Sequence, residues 1–324
     1  MFYSNNKCRL SSNPLPEDKE EMISLWQATF KDSDEFTYLF FDRVYKPENA
    51  LVIKKGGQII SALQMIPYEI KTDYEIIPSA YICGVCTHPS ERGNGFMKKL
   101  MYEAIEIMRE RIYKVSILIP AEQWLYDFYS QFGYVHQIKY IAETYTFDNQ
   151  TKNTETNPSL GQFTLDKQEY SFSASYHGGY LFKECTIENY YTYFNLKQRE
   201  RKSSILHDYD DLTTISKDLT LDGGSVYIAL EYDKPVGIAF VKPEQDNLII
   251  IKDIAFNSIK TKDAIIHYIA NLYKAQKIVV RIPLYEKNNS PKFVNSEVKP
   301  YGLACILDKH TMLPTDLFMT LMLD

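Results

Sequence analysis

The sequence predicts a mixed α/β fold, in which helices cover both faces of a mixed sheet, followed by a second and degenerate copy of that fold. In the first half, two helices precede antiparallel strands, and a strand–helix–strand–helix unit follows. The second half repeats this order in weaker form. A polar, turn-rich stretch over residues 148–158 separates the halves and is typical of a linker or an exposed loop. We therefore expect two domains, residues 1–150 and 151–324.

Composition is that of a globular chain and disfavours some classes of partner. The 324 residues suit two domains, and 45% are hydrophobic and 24% charged. A net charge of -6 argues against nucleic acid and anionic membranes as partners. No apolar run is long enough to span a bilayer, and no signal peptide is evident. The five cysteines are odd in number and scattered, which favours a reduced, cytoplasmic protein.

The first elements can be assigned from periodicity and turn residues. Residues 16–30 predict a helix with one apolar face. That face comprises Met22, Leu25, Trp26 and Phe30. A second helix reaches Val44, with Asp32 or Ser33 as its N-cap. Two apolar segments joined by Gly56-Gly57 predict a β-hairpin.

Residues 81–97 organise the first half. An apolar run over 82–87 predicts a buried strand, Arg92 to Gly95 predict a tight loop, and a helix with one apolar stripe begins at Phe96. The free N–H groups of a first helical turn and the helix dipole favour an anion there. Gly93 and Gly95 let the backbone approach a phosphate closely. We expect a phosphate-containing ligand at this loop.

Two common phosphate sites do not fit this loop. A dinucleotide fold needs three glycines and an acidic residue about twenty positions further on. A nucleotide-hydrolase loop needs Gly-Lys-Ser/Thr. This loop has only two glycines, no second parallel unit follows in the form of a dinucleotide fold, and Gly-Lys-Ser/Thr is absent.

Two short segments carry a resemblance to a known family. Residues 85–89 read Val-Cys-Thr-His-Pro, and residues 92–97 read Arg-Gly-Asn-Gly-Phe-Met. They resemble the acetyl-coenzyme A (acetyl-CoA) loop of the GNAT superfamily of N-acetyltransferases, Arg/Gln-x-x-Gly-x-Gly/Ala, although Met97 stands where a small residue is usual. Residues 128–134, Phe-Tyr-Ser-Gln-Phe-Gly-Tyr, resemble the Phe-Tyr-x-x-x-Gly-Phe segment of these enzymes. Two motifs in the family's order are more specific than either alone.

The resemblance implies a binding mode and a general acid. In the family, coenzyme A lies in a V-shaped gap between the two central strands, and a tyrosine protonates the departing thiolate. Carried over, Tyr129 is the expected acid, and Tyr126 is the alternative. The resemblance assigns acetyl-CoA binding to Val85, Cys86, Thr87, Arg92, Gly93, Asn94, Gly95, Phe96 and Met97. It implies no metal.

A tandem of one intact and one degenerate copy resembles the enhanced intracellular survival (Eis) type of acetyltransferase. In that type the C-terminal carboxylate lies in the active site, which would make Asp324 catalytic. We expect the usual third, sterol-carrier-like domain to be missing, and residues 300–308 and 316–324 to be the last strands of the second domain. The loop over 257–263 has no glycine, so a second phosphate site is not expected.

Several assignments stay open. The general base is the Asp324 carboxylate, His88, Glu122 or water. The pair Cys83 and Cys86 has CxxC spacing inside a strand, which favours core cysteines over a redox or zinc site. One basic run is expected to form a solvated helix face, and binding of a coenzyme 3′-phosphate or an acidic partner is the less favoured alternative: Lys197, Arg199, Arg201 and Lys202.

The expected activity is transfer of an acetyl group from acetyl-CoA to an amine of a small molecule or to a peptide or protein lysine. The alternatives are a sensor that binds acyl-CoA without turnover and an aminoacyl transferase of the tandem type. Self-association of the chain is left open.

Overall fold

The computed structural model describes residues 11–147, 174–289 and 295–323. The chain divides into two compact units. Unit 1 comprises residues 1–138 and 301–315, and unit 2 comprises residues 139–300 and 316–324. The predicted division was a single boundary at residue 150, whereas each observed unit combines two separate stretches of the chain. The predicted linker over 148–158 lies outside the described residues.

The described elements alternate between helices and strands along the chain. The helices are α1 (Lys19–Thr29), α2 (Asp34–Arg43), α3 (Phe96–Glu110), α4 (Gln123–Ser130), α5 (Tyr191–Glu200), α6 (Tyr209–Leu221) and α7 (Ile259–Tyr273). The strands are β1 (Ala50–Lys55), β2 (Gln58–Lys71), β3 (Ile76–Thr87), β4 (Val115–Leu118), β5 (His136–Thr146), β6 (Ala174–His177), β7 (Tyr180–Glu184), β8 (Ser204–Leu206), β9 (Ser225–Glu231), β10 (Lys234–Pro243), β11 (Leu248–Phe256), β12 (Lys277–Ile282) and β13 (Asn295–Ile306).

The first two helices of unit 1 form where the sequence predicts them. Ser33 is the N-cap of α2, and its side chain accepts a hydrogen bond from the Phe36 N–H at 3.1 Å. This resolves the choice between Asp32 and Ser33 as the cap. In α1, the apolar face buries Met22, Leu25 and Trp26, as the periodicity predicts.

The sheet of unit 1 begins with the predicted hairpin. β1 and β2 pair antiparallel around Gly56 and Gly57, β2 pairs antiparallel with β3, and β3 pairs parallel with β4 through the crossover helix α3. α3 packs its apolar stripe on one face of this sheet. The resulting core includes Leu63, Met65, Ile82, Leu100, Met101, Ile105 and Leu118.

The second part of β13 completes unit 1. Leu303 to Ile306 pair antiparallel with Leu118 to Val115 of β4. Leu303 and Cys305 lie in the same core as α3. The assignment of residues 300–308 to the second domain is therefore wrong for this strand. An apolar run reveals a strand, but the edge with which it pairs depends on tertiary structure.

Unit 2 contains its own sheet and helices. β9 and β10 form a hairpin, β10 pairs antiparallel with β11, and β11 pairs parallel with β12 through α7. Ile141 to Thr146 of β5 pair antiparallel with β12, and β7 pairs with β9 at the other side. Two apolar clusters fill the unit, one with α7 and one with α5 and α6.

Both units therefore contain the same connection: a hairpin, an antiparallel third strand, a helix and a parallel strand. The predicted mixed α/β fold with a repeated order of elements is confirmed. No helix within the described part of the chain is both long enough and apolar enough to cross a membrane.

Candidate functional site

A gap opens between the two parallel strands of unit 1. β3 and β4 pair in register only from Ser79 and Val115 to Ile82 and Leu118. β4 ends at Leu118, whereas β3 continues for five residues to Thr87. The edge of β3 that faced β4 is thus left without that partner beyond Ile82. An extended ligand can lie along such an edge and hydrogen-bond to its backbone.

A β-bulge marks the point where the gap opens. Ala62 pairs with Cys86 and Gln64 with Cys83, so β3 holds one residue more than β2 over this interval. Gly84 lies in the bulge with a φ of +59°. A Cβ atom there would lie 2.4 Å from Cζ3 of Trp26, so the ring packs directly on the glycine. Helix α1 thereby supports the bulge, and no larger residue fits at position 84.

The loop before α3 has the geometry of an anion site. Gly93 and Gly95 adopt φ values of +81° and +76°, and a Cβ on either would meet nothing within 4 Å. Gly95 is the N-cap of α3 and has no side chain to cap the helix. The first N–H groups of the helix therefore have no acceptor within it. The surrounding space is open to a bulky group.

Other contacts shape this loop and its charge. The Arg92 Nε donates to the Thr87 carbonyl oxygen at 3.3 Å, and the Asn94 Nδ2 donates to the Glu91 carbonyl oxygen at 3.1 Å. The first turn of α3 has no acidic residue. Lys98 and Lys99 are exposed there. Together with the helix dipole, these cations favour an anionic group in front of α3.

Tyr129 lies in the core of unit 1 on α4. Its side chain is buried, and its ring contacts those of Phe128 and Tyr134 edge-on. Burial raises the pKa of the Tyr129 hydroxyl, and the nearby Cys83 raises this pKa further. Cys83, the first residue of β3 beyond the pairing with β4, thus acts electrostatically on the Tyr129 hydroxyl. Tyr126 is half-buried one turn earlier, and burial also raises its pKa.

The remaining predicted binding residues follow the strand and the loop. Val85 is half-buried against the core, while Cys86 and Thr87 are buried. The Ser61 hydroxyl donates to the Cys86 carbonyl oxygen at 2.7 Å and lies 2.8 Å from the Thr87 hydroxyl. These contacts fix the end of β3 to β2. Phe96 and Met97 are half-buried at the start of α3.

The candidate bases are spread over different places. His88 is exposed, and its Nδ1 lies 2.8 Å from the Ser90 hydroxyl. Glu122 is exposed before α4 and accepts a hydrogen bond from the Trp124 indole. Asp324 lies outside the described residues. The residues before it, 316–323, belong to unit 2.

The cysteines of the CxxC spacing do not act as a pair. Cys83 is half-buried and Cys86 is buried. Burial raises the pKa of both thiols, that of Cys86 to about 12. Neither is therefore activated as a thiolate. Within the described ranges, no three His, Cys, Asp or Glu side chains come together as a metal site.

Sequence reasoning missed three residues of this site: Trp26, Gln64 and Gly84. A glycine inside a strand pattern is a recognised signal of a bulge, so Gly84 could have been found. Trp26 was assigned only to the face of a helix. Gln64 is 1% exposed, and neither polar atom of its carboxamide has a hydrogen-bond partner among the described residues. No sequence pattern indicates that.

Comparison with known proteins follows the same division of the chain. Residues 13–136 match the family model described as acetyltransferase (GNAT) domain. Residues 13–136 form a GNAT acetyltransferase domain. It contains the gap, the bulge, the glycine loop and Tyr129. A search of curated proteins finds no match to the chain.

Solved structures extend this likeness beyond the GNAT domain. A probable N-acyltransferase from Enterococcus faecalis V583 aligns with a TM-score of 0.70 at 14% identity, over 92% of this chain and 72% of that one. A GCN5-related N-acetyltransferase from Anabaena variabilis aligns with a TM-score of 0.69 at 16% identity, over 92% of this chain and 72% of that one. Eis1 from Mycobacterium abscessus aligns with a TM-score of 0.63 at 12% identity, over 92% of this chain and 73% of that one. Because each alignment covers most of the chain, the shared fold includes both units, consistent with an Eis-like tandem.

Proposed function

We propose that the protein transfers the acetyl group of acetyl-CoA to a primary amine, on a small molecule or on a peptide or protein lysine. One observation carries the proposal: beyond Ile82 the edge of β3 is open towards β4, and the strand leads into a glycine loop before an uncapped helix. This arrangement suits a long ligand with an anionic middle and a thioester end. The GNAT family match supports acyl transfer in general.

The chain's residues divide the binding of acetyl-CoA between strand and loop. Backbone groups of Val85 and Thr87 would hydrogen-bond the pantetheine arm along the open edge. The N–H groups of Phe96 and Met97 would bind the pyrophosphate at the start of α3. Arg92 would add a positive charge, and its contact with the Thr87 carbonyl oxygen holds it beside the strand.

Tyr129 is the proposed general acid. The amine nitrogen attacks the thioester carbon, the carbon–sulfur bond breaks, and the phenol proton passes to the departing sulfur. A general acid must carry its proton at the working pH, and the Tyr129 hydroxyl, whose pKa burial raises, is protonated at neutral pH. The Val85 N–H is the proposed donor to the carbonyl oxygen in the tetrahedral intermediate.

The proton of the attacking amine goes to one of four candidates. These are water, His88, Glu122 and the Asp324 carboxylate. His88 and Glu122 are both exposed, so either can exchange its proton directly with solvent.

The experiment that tests the proposal measures the rise in melting temperature on addition of acetyl-CoA. Gly93→Asp and Gly95→Asp put a carboxylate where the pyrophosphate would bind, and should abolish the rise. Gly179→Asp is the matched control. Gly179 has a φ of +91° and open space around it, but it lies in the β6–β7 turn of unit 2. Its variant should keep the full rise. An unchanged rise in both loop variants would exclude this binding site.

Turnover separates an enzyme from a sensor. Wild-type protein should release free coenzyme A faster when amines are added, and the acetylated amine should appear in equal amount. Binding without amine-dependent release would instead identify a sensor. Transfer of an aminoacyl group from charged tRNA, with no acetyl transfer, would identify the aminoacyl transferase.

A further inference from the structure

The Gln64 carboxamide is an unusual group at the level where the gap opens. Its side chain is 1% exposed, and neither Oε1 nor Nε2 has a hydrogen-bond partner among the described residues. Buried polar groups in proteins are nearly always hydrogen-bonded. A site with one donor and one acceptor both unused is therefore complementary to a ligand.

The strand register shows which side of the sheet Gln64 faces. Its neighbours in β2, Leu63 and Met65, pack in the core with α3. Successive side chains of a strand point to opposite faces, so Gln64 lies on the face away from α3. Its cross-strand partner there is Cys83, the first residue of β3 beyond the pairing with β4.

Gln64 is also close to the proposed chemistry. The Cys83 thiol acts electrostatically on the Tyr129 hydroxyl, and Gln64 is the cross-strand partner of Cys83. Adjacent strands are about 4.8 Å apart, a distance that a glutamine side chain can cross. Tyr129 belongs to the core on the α3 face, where it would meet the leaving sulfur. An amine entering from the opposite face would meet Gln64.

We propose that Gln64 positions the acceptor, and that the acceptor is a primary amine with an oxygen atom close to its nitrogen. This inference rests on the proposed acetyl transfer. Oε1 accepts a hydrogen bond from the attacking amine, and Nε2 donates to the neighbouring oxygen. A simple alkylamine would satisfy Oε1 and leave Nε2 buried without a partner. An amino alcohol satisfies both, and sites with unpaired polar groups discriminate strongly against analogues that lack the matching atom.

The first experiment measures thermal stability without ligand. Gln64→Met keeps the shape and removes the carboxamide, so the melting temperature should rise. The matched control is Gln198→Met. Gln198 is also 1% exposed, but its Nε2 donates to the His207 carbonyl oxygen at 2.7 Å and its Oε1 accepts from the His207 N–H at 2.9 Å. That variant should melt at a lower temperature. A lower melting temperature for Gln64→Met as well would mean that a buried water or another group satisfies the amide, and would overturn the inference.

The second experiment compares 2-aminoethanol with n-propylamine, which have the same number of heavy atoms. Each amine is compared with itself in wild type and in Gln64→Met, so their different reactivities cancel. The variant should lose about tenfold in kcat/KM for 2-aminoethanol, mostly through KM, and little for n-propylamine. Equal losses for both, or acetylation of neither, would overturn the assigned acceptor class.

The acetyl-CoA-dependent rise in melting temperature separates this inference from the proposed function. Gln64→Met should keep the rise, because Gln64 is assigned to the acceptor. Loss of the rise would place Gln64 in the acetyl-CoA site and refute the acceptor role, while the proposed transfer would stand. A wild-type protein that acetylates no amine would refute both.

Discussion

The parallel strand pairs of the two units separate in the same way, but different side chains surround them. In unit 1, β3 and β4 pair as far as Ile82, and in unit 2, β11 and β12 pair as far as Ile251. Each longer strand carries a bulge just beyond that point, at Gly84 in β3 and at Lys252 in β11. The backbone that opens a gap is therefore present in both units.

The side chains beyond the last pair differ in charge and burial. In unit 1, Cys83 and Val85 are neutral and half-buried. In unit 2, Lys252 and Asp253 are buried. Asp253 forms a bidentate ion pair with Arg201, and the Lys252 Nζ donates to the Met322 carbonyl oxygen at 3.3 Å. In unit 2, the ion pair and the C-terminal segment thus pack around the part of β11 that corresponds to the open edge of β3.

The helices that follow differ at their first turn. Gly95, the N-cap of α3, offers no side chain to the first N–H groups of the helix. Ser258 is the N-cap of α7, and its hydroxyl accepts a hydrogen bond from the Thr261 N–H at 3.1 Å. In α7 a side chain of the protein accepts a hydrogen bond from the first turn, whereas in α3 a bound anion would be the acceptor for the first N–H groups.

The shared fold therefore does not by itself determine ligand binding. The two units have similar strand registers, and the distinction lies in a glycine loop and in which side chains fill the gap. We therefore expect acetyl-CoA to bind unit 1 and not unit 2. Three predictions test this contrast between an open unit 1 and a filled unit 2.

The largest expected effect is in unit 1 and concerns two buried tyrosines. Tyr129→Phe should lower kcat by a factor of ~10²–10⁴, the usual contribution of a positioned general acid, with little change in stability. The control is Tyr134→Phe. The Tyr134 hydroxyl lies 2.7 Å from that of Ser116, so its loss should cost about 1–3 kcal/mol in unfolding free energy and leave kcat nearly unchanged. Rates and denaturant melts of both variants check this. Near-normal turnover by Tyr129→Phe would move the role to Tyr126 or to water.

The second prediction concerns the buried ion pair of unit 2. Asp253→Asn leaves the Arg201 charge buried without its partner and should reduce the unfolding free energy by about 3–5 kcal/mol. Replacing both residues, as Arg201→Met with Asp253→Leu, should restore most of that loss. The control is Lys197→Ala, because Lys197 pairs with the exposed Glu200 and should cost less than about 1 kcal/mol. Equal losses in the two single variants would contradict the assigned role of the buried pair.

The third prediction concerns a histidine of unit 2 and pH. Burial lowers the pKa of His207 to about 4, and the nearby Arg201 charge also lowers it. The hydrogen bond to the Thr320 backbone acts in the opposite direction and raises this pKa. The unfolded chain takes up a proton near pH 6.5, whereas the folded chain takes it up near pH 4. The contribution of His207 to the unfolding free energy is therefore complete above pH 6.5, and the unfolding free energy falls by about 3 kcal/mol as the pH drops to 4.

Denaturant melts between pH 8 and pH 4 measure that dependence. His207→Gln removes the titrating group and keeps an N–H in place of Nε2, so the loss on acidification should shrink by the same amount. His136→Gln, at an exposed position of β5, controls for removal of a histidine. An unchanged pH dependence in His207→Gln would show that other groups cause the acid loss.

The basic run of unit 2 illustrates why some assignments fail from sequence. The set at 197–202 was expected to be a solvated helix face, yet Arg201 is 8% exposed and pairs with Asp253. Periodicity shows where a helix can form, but the helix ends at Glu200. The direction of the chain after it, and the strand it meets, come from tertiary packing. Lys197 follows the expectation more closely, with an exposed partner on its own helix.

The local features of this protein can be predicted from its sequence. Helix periodicity, turn glycines and the loop at Arg92–Gly95 depend on residues close together in the chain, so each was predicted from a short window. The repeated order of elements was visible for the same reason. The family resemblance also rests on two short windows, and the match over residues 13–136 confirms it.

Features that depend on residues far apart in the chain could not be predicted in this way. The assignment of Leu303 to Ile306 to unit 1 requires knowing that they pair with β4. The tight contact of Trp26 with Gly84 and the unpaired carboxamide of Gln64 depend on how separate elements pack. Hydrophobic patterning does not specify with which strand an apolar segment pairs, because many sheet edges accept the same apolar segment. Burial and hydrogen-bond satisfaction are properties of the assembled core, which no local window contains.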